Sequence, residues 1–387
     1  MEKKNVLVIT WFYSENYGTC LQAYATHKVL SRFANVKFLD RRRYYPITKL
    51  NIFGKKLLML FKQRIKKKDQ SNLYGIYSNR HNKKMEKIHQ FTLENYDYVS
   101  INSRSSVFEL DKWSDCYLVG SDQMWNPWML SLHYLLDFVP NRSVKPKYSY
   151  ATSFGVDNIP EDKRKVYEKY LPKFDKLSVR EPRAAELVKG LSGKDATVVL
   201  DPTFLLTQEE WREFSNLSSA KNDYSLQKYI LCYFIGSPEF NHLETAVRIA
   251  QELNMQIVLL PTRQSDYLID DPHVTVIADA CAYDFVSLID NACLVCTDSF
   301  HAVVFSFLME TAFYDFPRFR KGDKYSQESR LMNVMNKFSL MDSVWQSTLE
   351  KQDILSHLKP DYSTGYSTLI KEREECTEFL KNMINNC

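Results

Sequence analysis

The chain has 387 residues, 44% of them hydrophobic, with a mean hydropathy of −0.38 and a formal charge of +4. That is enough chain for two domains, and no apolar run approaches the ~20 residues a membrane span needs. Eight cysteines in this length do not make a disulfide framework. The opening stretch MEKKNVLVITWFYSEN has too short an apolar run for a secretory signal, so a cytoplasmic protein is expected.

Taken in order, residues 5–11 (NVLVITW) read as a first strand, followed by a loop and a helix opening at Gly18. Residues 36–39 form the next strand, completing a β-loop-α-β unit of the spacing that a parallel sheet requires. The loop lacks GxGxxG, which excludes the dinucleotide fingerprint. Residues 41–112 interrupt the alternation, and within them 55–68 (KKLLMLFKQRIKKK) have the pattern of a basic amphipathic helix. Strands then recur at 115–119, 148–153, 176–179 and 197–200, each followed by glycine or polar residues. A connecting helix at 208–217 and an irregular stretch at 218–227 mark a domain boundary. Beyond it come strands at 229–235, 256–260, 293–296 and 312–316, helices at 239–253, 284–291 and 329–338, and a largely helical tail from residue 350.

The expected fold class is therefore α/β, with two Rossmann-like domains facing a cleft and a basic helical insertion at about 41–112 in the first. The domains are expected at 1–217 and 225–345, with a C-terminal helical tail over 346–387.

Charge is unevenly spread. Residues 41–90 hold 15 Lys and Arg against Asp69 and Glu86, a net +13, leaving −9 for the remainder. Such asymmetry points to an anionic neighbour, a lipid surface, a lipid-phosphate-linked substrate or nucleic acid, and the expectation is peripheral contact with an anionic membrane and no nucleic acid. The competing reading is a basic segment that only solubilises or packs on its own domain.

P-loop, HExxH, GxSxG and paired zinc motifs are all absent. The lone CxxC, Cys293 and Cys296, lies in an expected buried strand, so packing is favoured over metal binding and no metal site is expected. What remains is a set of polar clusters just past strand ends: Asn16-Tyr17-Gly18, Gly120-Ser121-Asp122-Gln123, Arg180-Glu181 and Asp298-Ser299-Phe300-His301. In a doubly wound sheet these positions border the ligand crevice. In the last cluster a strand turns into an apolar helix, bringing a helix N-terminus beside a histidine, an arrangement suited to anions.

In order along the chain, ENYGTCLQAYA (15–25), VGSDQMWNP (119–127), YSYATSFG (148–155), LSVRE (177–181), VLDPTFLL (199–206), TDSFHAVVFS (297–306) and, more weakly, SRLMNVM (329–335) resemble the polysaccharide pyruvyl transferase family. One departure is Ala302, where the family usually has glycine after the histidine. The resemblance implies a fold similar to GT-B glycosyltransferases and transfer of pyruvate from phosphoenolpyruvate to a sugar of a surface polysaccharide or its lipid-linked precursor; with the basic segment, the expected location is cytoplasmic, extending to the inner face of the membrane where that segment binds it. Phosphoenolpyruvate is then a co-substrate and no cofactor is needed.

A donor with a phosphate and a carboxylate calls for arginines and oriented N–H groups. His301 is expected as acid and phosphate ligand, with Asp122 or Asp298 as base. Arg180, Ser299, Phe300, Arg330 and His301 are expected at the donor. Arg183 is a weaker candidate. Asn16, Tyr17, Gly18, Ser121, Gln123 and Trp125 are expected at the acceptor or cleft, with Trp125 able either to stack on a sugar or to pack in the core. The alternatives are a GT-B enzyme using a nucleotide sugar and a non-catalytic protein of glycan assembly.

Overall fold

The computed structural model describes residues 2–40, 71–220, 226–320, 328–346 and 350–387. In the first half, β1 (Lys4–Ile9), α1 (Tyr17–Ser31), β2 (Ala34–Asp40), α2 (Ser71–Asn95), β3 (Tyr98–Ser100), α3 (Arg104–Trp113), β4 (Cys116–Val119) and β5 (Lys147–Ser149) build a parallel sheet of order β3-β2-β1-β4-β5. Single parallel bridges, Tyr148 to Lys176 and Thr152 to Val179, carry this sheet on towards the pair β6 (Ser178–Val179) and β7 (Thr197–Val198). The helices α4 (Glu161–Tyr170), α5 (Pro182–Ser192) and α6 (Gln208–Ser215) complete this half.

The second half repeats the plan. Its elements are β8 (Tyr229–Tyr233), α7 (His242–Leu253), β9 (Gln256–Leu259), β10 (Val274–Val276), α8 (Ala282–Asp290), β11 (Leu294–Thr297), α9 (Phe300–Leu308) and β12 (Phe313–Asp315), all strands parallel in the order β10-β9-β8-β11-β12. Then follow α10 (Glu328–Lys337), α11 (Lys351–His357) and the long α12 (Ser363–Asn385). Central strands such as CYLV of β4 and YILCY of β8 are buried at every position, as strands covered by helices on both faces must be. All nine positions of α9 are buried too.

Two expectations need correction. Residues 71–112 are no insertion: α2 is the crossover between β2 and β3, and β3 is a paired edge strand. As a half-buried edge strand it carries no continuous apolar run to announce it. Helix α2 also engages three of its basic residues with the rest of the fold, while Lys83 stays exposed. Arg80 donates to the Tyr267 carbonyl at 2.6 Å, Lys87 pairs with Asp279 at 3.1 Å, and Lys84 is buried with its ammonium over the Tyr17 ring. The expected amphipathic helix at 55–68 lies outside the described residues. β10, another three-residue strand, was likewise not anticipated.

The two halves share one apolar core. Leu21, Ala25 and Val29 of α1 belong to the same cluster as Phe285 of α8 and Phe305 of α9. The tail returns to the first half, where Cys376 Sγ accepts from the Leu200 N–H at 3.3 Å and Arg373 donates to the Phe204 carbonyl at 2.6 Å. All eight cysteines are free, and among the described residues no His/Cys/Asp/Glu group is arranged to hold a metal. No described helix is long and apolar enough to cross a membrane.

Candidate active site

In each sheet the chain order reverses between two neighbouring strands, β1 and β4 in one and β8 and β11 in the other. The connections leaving such a pair at its carboxyl end diverge to opposite faces and open a crevice. Asn16-Tyr17-Gly18 follows β1, Ser121-Asp122 follows β4, and Ser299-Phe300-His301 follows β11. The two crevices meet at Gly18. A Cβ built on Gly18 would lie 2.1 Å from His301 Nδ1, so only glycine lets α1 seat against this imidazole.

Asp201 is the hub of the site. Its Oδ2 accepts from Arg180 Nη1 at 2.7 Å and Ser121 Oγ at 3.2 Å, and lies 3.8 Å from His301 Nε2. Its Oδ1 accepts from the backbone N–H and the hydroxyl of Thr203, capping the short 3₁₀ turn Pro202–Leu205. Burial alone would push this carboxyl up, but His301, Arg180 and the Thr203 amide hold it far below the usual carboxylate range.

Arg180 is buried among three carboxylates: Asp201, Glu181 (3.0 Å) and Asp122 (3.7 Å). Burial opposes its charge, yet Glu181, Asp201 and Asp122 together raise its proton affinity above that of a free guanidinium. It is therefore not an open fork: Nε and Nη1 are taken, and Nη2 is the buried nitrogen with no hydrogen bond. Its guanidinium sits 4.4 Å from the centroid of Phe300, and that of Arg330 sits 5.9 Å from the same ring. Arg330 is buried, and its proton affinity is lowered to about 10, first by burial and then by Arg180.

Asp122 is buried with φ of +73°, a left-handed conformation that costs a non-glycine residue on the order of 1 kcal/mol. Its carboxylate accepts from the Thr19 hydroxyl at 3.4 Å and faces Arg180. Strain held at a buried, charged position beside a cleft makes it a candidate site residue. His301 Nε2 is likewise a buried nitrogen with no hydrogen bond.

Several expected site residues have other duties. Both Asp298 oxygens accept backbone amides, Ile235 N–H at 2.6 Å and Gly236 N–H at 2.7 Å. This carboxylate ties the end of β8 to β11, and it is neither a helix cap nor poised as a base. Burial raises its proton affinity and the two amides moderate the rise. Trp125 is wholly buried, donating to the Tyr134 carbonyl and packed on Phe154 and Phe174, so no face is left for a sugar.

Tyr17 is interior too, stacked on Phe285 at 4.9 Å between the halves. Asn16 caps α1 through the Thr19 N–H, and Gln123 accepts from Asn126 within its own loop. Ser299 begins α9 without a side-chain cap. Arg183 is on the surface, paired with Glu186. The structure thus brings together Gly18, Ser121, Asp122, Arg180, Phe300, His301 and Arg330. It adds Asp201 and Glu181, to which no role was given although both stand in quoted motifs. An aspartate followed by Pro-Thr just past a strand was the signal available for Asp201.

Two Rossmann-like sheets meeting across such a crevice define a two-domain α/β protein of the GT-B type. The fold is similar to UDP-GlcNAc 2-epimerase from Methanocaldococcus jannaschii, with a TM-score of 0.55 at 10% identity, over 98% of this chain and 100% of that one. It is similar to the S. aureus MnaA–UDP co-structure, TM-score 0.53 at 14% identity over 99% and 97%, and to the wall teichoic acid polymerase TagF, TM-score 0.50 at 10% identity over 99% and 88%. At these identities the likeness is one of fold. No curated protein matches the chain. The polysaccharide pyruvyl transferase profile matches residues 16–314, and the chain belongs to that family.

Proposed function

We propose that this protein transfers pyruvate from phosphoenolpyruvate to two hydroxyls of a sugar in a surface polysaccharide or its lipid-linked precursor, giving a cyclic ketal and phosphate. The observation that carries the reading is the pair of buried nitrogens without hydrogen bonds, Arg180 Nη2 and His301 Nε2, beside one carboxylate hub. Buried donors left without partners are costly unless a ligand completes them.

In the reaction the donor methylene gains a proton and becomes a methyl group, leaving C2 electrophilic. One sugar hydroxyl adds to C2 and gives up its proton. The second hydroxyl then forms its bond to C2 as the C2–O bond to phosphate breaks, and its proton leaves with the phosphate. His301 Nε2 serves as acid and phosphate partner, oriented by Asp201 and held by Gly18. Asp122 is the base, since Asp298 is occupied. Arg180 Nη2 receives one oxygen of the donor carboxylate. No cofactor enters this chemistry. The reaction belongs at the inner face of the membrane, in the cytoplasm, where phosphoenolpyruvate is made.

One observation favours a second reading. A larger cleft of about 430 Å3 opens in the second half, lined by Ser237, Asn241, His242 and Arg263 among others. A nucleotide sugar would suit it, and the similar S. aureus protein is complexed with UDP. Calorimetric titration with phosphoenolpyruvate and with UDP-sugars separates the two. Binding of a UDP-sugar with no response to phosphoenolpyruvate would overturn the main reading. With acceptor present, His301→Ala should abolish phosphate release while leaving the melting temperature within a few degrees; near-normal turnover would remove His301 from the mechanism.

A further inference from the structure

The tail helix α12 joins the two halves. At its start Tyr362 and Tyr366 donate to the carbonyls of Thr311 and Leu308 in the second half, at 3.1 and 2.6 Å. Farther along, Arg373 and Cys376 hold Phe204 and Leu200, which lie either side of Asp201. Its last turn buries Met383 and Ile384 in the shared core and packs Cys387 on that core, to which Cys116, the first residue of β4, belongs.

The thiols of Cys116 and Cys387 form a hydrogen-bonded pair. Cys116 is wholly buried, whereas Cys387 is only half-buried. Cys387 donates its own S–H to the Ile384 carbonyl at 2.8 Å, which leaves Cys116 as the donor to the Cys387 sulfur. That hydrogen bond lowers the proton affinity of Cys387, against burial and Asp115 and with the help of Lys4. The same contact, together with burial, raises that of Cys116. A thiolate within reach of oxidant, beside a protonated thiol, is a nucleophile set next to its resolving partner. A second thiol pair lacks the access. Cys232 and Cys296 stand in register on β8 and β11 with their thiols likewise bonded, but both are wholly buried.

We propose that Cys387 and Cys116 are a peroxide-reactive dithiol whose oxidation fastens α12 to β4. The Cys387 thiolate attacks one oxygen of hydrogen peroxide; the O–O bond breaks, hydroxide leaves, and the sulfur becomes a sulfenic acid. The Cys116 sulfur then attacks that of Cys387, the S–O bond breaks, and the hydroxyl leaves with the Cys116 proton as water. The two sulfurs are oxidised to a disulfide and the peroxide is reduced to water. A dithiol reductant reverses the bond by exchange. The disulfide closes a loop spanning most of the chain, which constrains the unfolded state, and it fixes one end of the helix that joins the halves.

The test treats the full reduced chain with equimolar hydrogen peroxide, blocks the remaining thiols and maps the peptides by mass spectrometry, alongside thermal unfolding. A peptide linking Cys116 to Cys387 should appear, and dithiothreitol should remove it. The melting temperature of the oxidised chain should lie several degrees above that of the reduced chain. Cys387→Ser should abolish both the linked peptide and the shift while unfolding like the reduced wild type. In Cys116→Ser, dimedone should instead trap Cys387 as its sulfenic acid. In the wild type, survival of all eight thiols, a disulfide through any other cysteine, or oxidation of Cys387 that leaves Cys116 free overturns the assignment. A linked peptide with an unchanged melting temperature overturns the fastening of α12.

Discussion

Replacing Gly18 by alanine tests the contact on which the two halves of the site depend. Gly18 lies in the first turn of α1, its φ is not in the left-handed region, and alanine is favoured there by helix propensity by up to about 1 kcal/mol. Against that stands a new methyl 2.1 Å from His301 Nδ1, 2.3 Å from Cγ and 2.7 Å from Cβ. To restore ordinary contact, the ring or the helix must move by about 1.3 Å. Overpacking of this kind costs about 1–3 kcal/mol, so the net effect is a loss of about 1–2 kcal/mol and a fall in melting temperature of a few degrees.

The effect on function should be larger, because a misplacement of about 1 Å at a reacting group costs about a hundredfold. Thermal unfolding, phosphoenolpyruvate titration and phosphate release with acceptor present read the two effects separately. A Gly18→Ala protein as stable as the wild type, with unchanged donor affinity and turnover, would refute the reasoning.

Other outcomes follow from the same geometry. Asp201→Asn should destabilise by about 3 kcal/mol, since it removes one partner of a buried ion pair. The folded-state pKa of Asp201 is depressed, so its contribution is present above about pH 4 and lost as pH falls below that. The acid limb of the stability curve should flatten in the variant, and an unchanged limb contradicts the hub role. Lys84 is buried, and burial lowers its pKa to about 8 against the support of Glu15 and Cys20. Between about pH 8 and 10.4 the unfolded chain holds a proton there that the folded chain has released, so stability should rise with pH across that window. Lys84→Met should remove this rise and stabilise the protein at pH 7 by on the order of 2 kcal/mol, after loss of the contact with the Tyr17 ring; denaturant titration at pH 7 and 10 would reveal either failure. With Arg80, Lys84 and Lys87 engaged within the fold, the proposed electrostatic attraction to an anionic membrane is expected to rest mainly on the 11 Lys and Arg of residues 41–68, with Lys83 beside them. Neutralising those residues should abolish binding to phosphatidylserine vesicles, and binding that ignores added salt would discard the electrostatic reading.

The alternation of short apolar strands with helices was enough to establish two parallel α/β halves, because strands buried on both faces must be apolar throughout. It also located the crevice residues, since polar clusters interrupting such strands fall at their carboxyl ends. The edge strands β3 and β10 are only half-buried at all three positions and carry too little apolar pattern to be seen. What each crevice residue does was beyond the sequence. Asp298 and Asp122 occupy comparable strand-end positions, yet one is consumed by backbone amides donated by β8's end and the other is held, strained, against Arg180. Trp125 could have been platform or core and is core, and Asp201, given no role, is the hub. These outcomes depend on which groups meet across hundreds of residues of chain, as Gly18 meets His301. Local sequence sets the element and its end; only the packing of the two sheets decides which buried charges find partners and which await a ligand.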